Sequence, residues 1–210
     1  MNKKRSKFEA FLHDIIKFLI LIVFSLIFRT KYIYEDKTNK KRKITGGTIL
    51  VSNHNAWDDS LIILNAFFSR RLRFLVKKEL AGKKGRSATL MRIFGMIFID
   101  RKSLDMDAIN ASLEVLENNE VLTIFPEGTR VKGEEMGGFK SGVSLLSLKS
   151  KVPIVPIYVK PYEKWYKRRV LVVGSKITTH LSDNMCINLQ NTEQLTDEIT
   201  RRIEELKKLA

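Results

Sequence analysis

The sequence predicts an α/β fold: a single domain with a central, largely parallel sheet flanked by helices. Three observations lead there. Short runs of Val, Ile, Leu and Phe alternate with segments whose apolar residues recur at helical spacing, the pattern of strands and helices taken in turn. At 210 residues and 44% hydrophobic content, the chain can build one ordinary core. No internal repeat and no low-complexity segment divides it.

The first thirty residues stand apart. "MNKKRSK" is basic, and "FEAFLHDIIKFLILIVFSLIF" then runs from Phe8 to Phe28. Its wholly apolar part, Phe18 to Phe28, reaches only about 16 Å as a helix, roughly half the hydrocarbon thickness of a bilayer. Extending it back to Phe8 brings in Glu9, His13 and Lys17, which are four apart and form one polar stripe. A helix of this kind lies in or dips into one leaflet, with a single span as the alternative, so residues 1–30 are expected to form an N-terminal membrane-anchoring helix. Basic residues flank it on both sides, and no small-residue cleavage pattern follows Phe28. Residues 31–47, with "YEDKTNKKRKITGG", read as a basic surface connector, and 48–210 as the main domain.

The remaining elements follow in order. "TILVS" (48–52) reads as a buried strand, "DSLIILNAFF" (59–68) as a helix and "LRFLV" (72–76) as a strand. "ATLMRIF" (88–94) reads as a short helix and "MIFID" (96–100) as a strand. Met106, Ile109, Leu113 and Leu116 share one face of a helix over about 104–118. "VLTIF" (121–125) is a strand and "SGVSLLSLKS" a helix. "VPIVPIYV" and "RVLVVGSKI" are two further strands, with Pro153 and Pro156 pointing to an edge or a bulge in the first. A last helix follows Asn191 and buries Leu195, Ile199, Ile203 and Leu206.

Composition narrows the partners. Against 23 Asp and Glu stand 38 Lys and Arg, a formal charge of +15 that draws the protein toward something anionic. The basic residues carry no nucleic-acid motif and no interleaved aromatics, which argues against nucleic acid. The single cysteine, Cys186, excludes an intramolecular disulfide framework and fits a reducing, cytoplasmic side. Three histidines with no metal-ligand spacing give no metal site.

Four segments share one placement, just beyond the carboxyl ends of expected strands, where open α/β sheets hold ligands. In "NHNAWDD", His54 follows the strand and Asp59 falls in the first turn of the next helix. From there the carboxylate can accept Nδ1–H and leave Nε2 to take a proton, a base without a nucleophile beside it. The bland alternative is a loop histidine with Asp58 or Asp59 as a helix N-cap. "FPEGTR" offers backbone N–H groups, a hydroxyl and the Arg130 guanidinium to a phosphate. "GMIFIDR" ends in Arg101, and "VKKEL" carries Lys77 and Lys78.

In this order, "NHNAWDD" (53–59), "GMIFIDR" (95–101), "FPEGTR" (125–130) and "VPIVPI" (152–157) closely resemble the four motif blocks of the glycerolipid acyltransferases. The resemblance covers about residues 46–160 and is strongest to bacterial members that acylate 1-acylglycerol 3-phosphate. It implies that His54 is the general base activating the acceptor's free hydroxyl against an acyl thioester, with Asp59 orienting it. It also implies that Arg101, Glu127, Gly128, Thr129 and Arg130 hold the acceptor, and that Lys77 is a further phosphate ligand. Oxyanion donors are expected among the backbone N–H groups near Gly128. The implied partners are lysophosphatidate, acyl-CoA or acyl carrier protein as donor, and the lipid bilayer at the cytoplasmic face of the cell membrane, with no cofactor and no nucleic acid. The segment after "KKEL" lacks the proline often found there in the family. Other acceptors remain open at this point, among them a different lysophospholipid, a lipid alcohol or a lipid amine. A hydrolase, or a basic membrane- or nucleic-acid-binding module, is the more distant alternative.

Overall fold

Among the described residues, seven strands build one sheet: β1 (Lys31–Tyr34), β2 (Thr48–Ser52), β3 (Leu72–Lys77), β4 (Ile97–Ile99), β5 (Val121–Ile124), β6 (Ile154–Val159) and β7 (Val170–Val173). The structure is a computed structural model, and it describes residues 29–35, 44–80, 95–101, 105–131, 133, 135–161, 168–178 and 187–210, with positions 15, 16, 18, 19, 22, 23 and 91. The strand order is β1-β7-β6-β2-β5-β3-β4. From β6 to β4 every neighbouring pair is parallel, whereas β7 runs antiparallel to β6 and β1 follows β7. The predicted α/β domain with a largely parallel sheet is therefore present.

Alternation along each strand feeds two cores, because successive side chains leave opposite faces of a sheet. Leu50 of β2 joins Val155, Ile157 and Val159 of β6 beneath helix α1 (Asp59–Ala66), which contributes Ile62, Ile63 and Ala66. On the other face, Ile49 and Val51 pack with helices α2 (Met106–Glu117), α3 (Gly142–Ser150) and α4 (Leu189–Lys207). The expected α4 stripe is buried as read, with Leu195 at 7% exposure and Ile199, Ile203 and Leu206 at zero. Its start lies two residues before Asn191, because Asn188 and Asn191 exchange side-chain and backbone hydrogen bonds in a capping box.

Three expectations need correction. The stretch read as a connector from residue 31 begins with a strand, β1, whose Tyr32, Ile33 and Tyr34 pack against the two cores. Second, the prolines do not mark an edge, since β6 lies between β7 and β2. Nor does β6 carry the extra residue of a bulge, which lies on the facing stretch after β7. Between the Ile157↔Val173 pair and the Ile154↔Ile177 bridge, Val155 and Pro156 face the longer stretch Gly174 to Lys176. Pro156 accepts from Gly174 N–H at 2.9 Å, so its missing donor points to the side where regular β7 pairing has ended. Third, Met106 is exposed at the first turn of α2, and the buried face is Ala108, Ser112 and Leu116. The short helix expected over 88–94 lies outside the described residues except for Met91, which is helical.

Of the expected N-terminal helix, only Ile15, Ile16, Phe18, Leu19, Ile22 and Val23 are described, all helical. Ile16 packs against the core under α1, while the other five are exposed. Among the described residues no helix is long and apolar enough to cross a membrane.

Candidate active site

Because β2, β3, β4, β5 and β6 are mutually parallel, their carboxyl ends meet at one edge of the sheet. His54 follows β2, Lys77 closes β3, Arg101 follows β4 and the Phe125–Arg130 turn follows β5. The sequence placement of these four segments is thus realised. The loop carrying His54 is tied down by its asparagines. Asn53 donates to Val159 O at 2.9 Å and accepts from Val159 N at 2.8 Å, so its buried amide continues the ladder of β6. Asn55 donates to the same carbonyl at 3.1 Å, and His54 O accepts from Val131 N at 2.9 Å.

His54 Nδ1 lies 3.0 Å from Asp59 Oδ2. That oxygen also accepts the Asn55 and Ala56 backbone N–H groups, each at 2.7 Å, while Oδ1 accepts from Arg169 Nη2 at 2.6 Å. An ionised carboxylate can only accept, so this geometry suits an imidazole that donates through Nδ1–H and leaves Nε2 as the position to take a proton. Asp59 is fully buried at the start of α1, where the helix dipole favours a negative charge. Asp58 occupies the N-cap position but makes no cap hydrogen bond, so the capping alternative is not what either aspartate does. Burial raises the Asp58 carboxyl above its ordinary range, with Arg169 opposing from 3.4 Å.

The imidazole has a second support. Phe125 stacks on it with ring centroids 4.2 Å apart and planes 21° from parallel. After Phe125 the chain turns sharply, Gly128 N–H donating to Phe125 O at 3.1 Å with Gly128 at φ +73°, a left-handed conformation that glycine adopts without strain. This bond removes Gly128's own N–H from the expected oxyanion donors. Around Gly128 stand Arg101 Nη1 and Lys140 Nζ, which would lie 3.4 and 3.7 Å from a Cβ at that position. Arg101 is half-buried, and burial pulls its guanidinium below the ordinary value while Glu79 opposes. Asp105 fixes this corner by accepting from Asp100 N at 2.8 Å and capping α2 through Ala108 N at 3.0 Å.

The other expected residues divide by exposure. Thr129 and Arg130 are exposed at the turn, and Lys77 is half-buried. Glu127 is 8% exposed, and among the described residues neither carboxylate oxygen has a partner within good hydrogen-bond geometry. Burial pushes its carboxyl up from 4.5 to about 7; the Asp59 charge adds to the rise, and the peptide groups of His54 and Gly137 oppose it. Next to the turn opens a cavity of about 200 Å³, walled by Leu75, Ile99, Ile109, Ile124, Val143 and Leu146, with Arg101 and Lys140 also on its lining. Sequence reasoning missed Lys140, Phe125 as a stacking partner, and Arg169. Phe125 lies within the recognised "FPEGTR" segment and Lys140 directly before an expected helix, whereas Arg169 is 110 residues from the aspartate it binds.

The acyltransferase family model matches residues 23–160 of this chain. The chain is 33% identical over 150 residues to the 1-acyl-sn-glycerol-3-phosphate acyltransferase of Helicobacter pylori, a match covering 66% of this chain and 62% of that protein. It is 32% identical over 154 residues to the 1-acyl-sn-glycerol-3-phosphate acyltransferase alpha of Mus musculus, covering 69% of this chain and 52% of the relative. Both matches span less than two thirds of the relative's own length. Among solved structures, the 1-acyl-sn-glycerophosphate (LPA) acyltransferase PlsC from Thermotoga maritima superposes with a TM-score of 0.67 at 20% identity, over 99% of this chain and 84% of that one, a likeness of fold.

Glu127 gives a pH-dependent test. As pH rises from 4.5 toward 7, the unfolded chain releases this proton before the folded one does, so the raised value removes stability across that window. Glu127→Gln should abolish that loss, about 1.4 kcal/mol for each unit crossed. Urea unfolding of parent and variant at pH 5 and pH 7 measures it. Parallel pH dependence in the two proteins would show that the buried carboxyl does not titrate this way.

Proposed function

This chain belongs to the acyltransferase family, and from that membership we propose that it transfers an acyl chain from an acyl thioester to the free hydroxyl of 1-acyl-sn-glycerol 3-phosphate, making phosphatidic acid. The observation that carries the reading is the His54–Asp59 pair, 3.0 Å apart with the aspartate buried. Among the described residues no Ser, Thr or Cys side chain hydrogen-bonds to His54, so the nucleophile comes from the substrate. In this mechanism His54 Nε2 takes the acceptor's hydroxyl proton as its oxygen attacks the thioester carbonyl. The tetrahedral intermediate then collapses, the C–S bond breaks, and the imidazolium returns the proton to the departing thiol. Holding both substrates at the sheet edge supplies much of the acceleration.

Arg101, Lys77 and the Gly128–Arg130 turn are assigned to the acceptor's phosphate, and the apolar cavity beside Phe125 to an acyl chain. The donor is acyl-CoA or acyl carrier protein. Ile15, Phe18, Leu19, Ile22 and Val23 recur at i, i+3, i+4, i+7 and i+8, so this exposed apolar stripe suits a peripheral anchor in one leaflet at the cytoplasmic face. The basic charge then adds about 1 kcal/mol for each Lys or Arg near an anionic surface.

Purified protein given lysophosphatidate and each donor type should form phosphatidic acid, and His54→Ala should abolish transfer with the fold intact. Asp59→Asn should cost far more than Asp58→Asn. Thioester cleavage at the same rate without acceptor would instead make the protein a hydrolase.

Arg130→Ala should lower transfer to lysophosphatidate roughly ten- to hundredfold, the worth of a charge-assisted hydrogen bond to phosphate. Arg130→Lys should recover part of this, since an ammonium keeps the charge but not the planar fork. The control acceptor is a monoacylglycerol, which has no phosphate. An equal loss on both acceptors moves Arg130 out of the phosphate site.

The anchor is tested with Phe18→Asp/Leu19→Asp. This double variant should float less with anionic vesicles and keep its turnover on a dispersed short-chain acceptor. Unchanged flotation removes the stripe from the membrane contact.

A further inference from the structure

We propose that Arg169 is a positioning residue for the catalytic pair, holding Asp59 in the orientation that sets His54. This rests on the acyl-transfer reading only for its consequence in turnover. Arg169 cannot touch substrate, since its side chain is fully buried. Its guanidinium donates to Asp59 Oδ1 at 2.6 Å and to Lys160 O at 3.3 Å, and its Nε faces Asp58 Oδ2 at 3.4 Å. Its own carbonyl accepts from Lys31 N at 2.8 Å, which fixes the backbone at the edge of β1. The antiparallel course of β7 is what delivers it, because the amino end of that strand meets the carboxyl ends of the others.

The charges explain why an arginine is needed. Asp58 and Asp59 are adjacent and both buried, with His54 and Glu127 as the neighbouring titratable groups. Two such carboxylates without a cation cannot both stay charged. Without Arg169, Oδ1 of Asp59 loses the donor that opposes the three N–H groups on Oδ2. The carboxylate is then free to turn about its Cβ–Cγ bond, and the histidine loses a fixed partner. A planar fork that donates to Asp59 and to Lys160 while setting its charge beside Asp58 suits the place better than an ammonium.

The test reads the histidine directly and turnover separately. Nitrogen-15 NMR of the parent should show His54 as the Nδ1–H tautomer, and Arg169→Met should give a mixture of tautomers. In acyl-transfer assays Arg169→Met should lower kcat by about 10- to 100-fold with KM for both substrates within about twofold, the scale of losses from misplaced groups. Arg169→Lys should restore part of kcat, and in an Asp59→Asn background the arginine change should add less than about twofold. Should Arg169→Met fail to fold, Asp58→Asn/Arg169→Met removes one charge of each sign and keeps the balance. That variant should retain the tautomer mixture and the low kcat. Parental tautomer and parental kcat in it would overturn the proposal, leaving Arg169 as a mere counter-charge to Asp58. A KM effect in place of kcat, or full multiplicative losses with Asp59→Asn, would overturn it as well. Absence of transfer by the parent protein would strike the proposed function and leave the NMR comparison standing.

Discussion

Asp59 holds a negative charge out of contact with water, and much of the site is arranged around that fact. An uncompensated ion in such a place costs several kcal/mol. Here the Asn55 and Ala56 N–H groups, the His54 ring and the Arg169 guanidinium divide its two oxygens among four donors. Three of these donors are in turn fixed by something else. Asn55 is bonded to the end of β6, His54 is stacked on Phe125, and Arg169 is held between Lys31 and Lys160. The aspartate therefore links β2, β6, β7 and α1 through one carboxylate.

That arrangement depends on strand direction. Parallel pairing brings the loops after β2, β3, β4 and β5 to a common edge, which concentrates Lys77, Arg101 and the Phe125–Arg130 turn near His54. Reversal at β7 then adds a residue from before a strand to the same edge. The irregular pairing opposite Pro156 belongs to this reversal, since it lies where regular pairing of β6 with β7 stops.

Charge and apolar surface are separated across the edge. Arg101 and Lys140 flank Gly128 at one side of a cavity whose walls are otherwise mostly aliphatic. On the proposed reading, this lining would take an amphiphile with an anionic head and a hydrocarbon chain, and the exposed residues Ile15, Phe18, Leu19, Ile22 and Val23 offer a second apolar surface. The buried Glu127 is different in kind. It faces inward under the His54 loop, so the one acidic residue of the turn bears on the state of that loop before it bears on a ligand.

The sequence by itself determined the strands from β2 onward, the buried face of α4 and the His54–Asp59 pairing, because each is local: a run of apolar residues, a 3.6-residue period, or two side chains five positions apart across a strand-to-helix turn. The same locality placed Arg101 and the Phe125–Arg130 turn at strand ends. What only the tertiary structure decided was non-local. β1 is short and polar-flanked, and it is a strand because β7 offers it an edge. Pro156 sits in an interior strand because its missing donor faces the irregular stretch after β7. Arg169 opens the expected strand "RVLVVGSKI", but nothing local shows what it faces; its burial follows from the antiparallel turn of β7 and from two aspartates more than a hundred residues away. Spacing along a chain reports which neighbours a residue has on its own element. Which charges share a low-dielectric pocket is fixed by how the elements are paired.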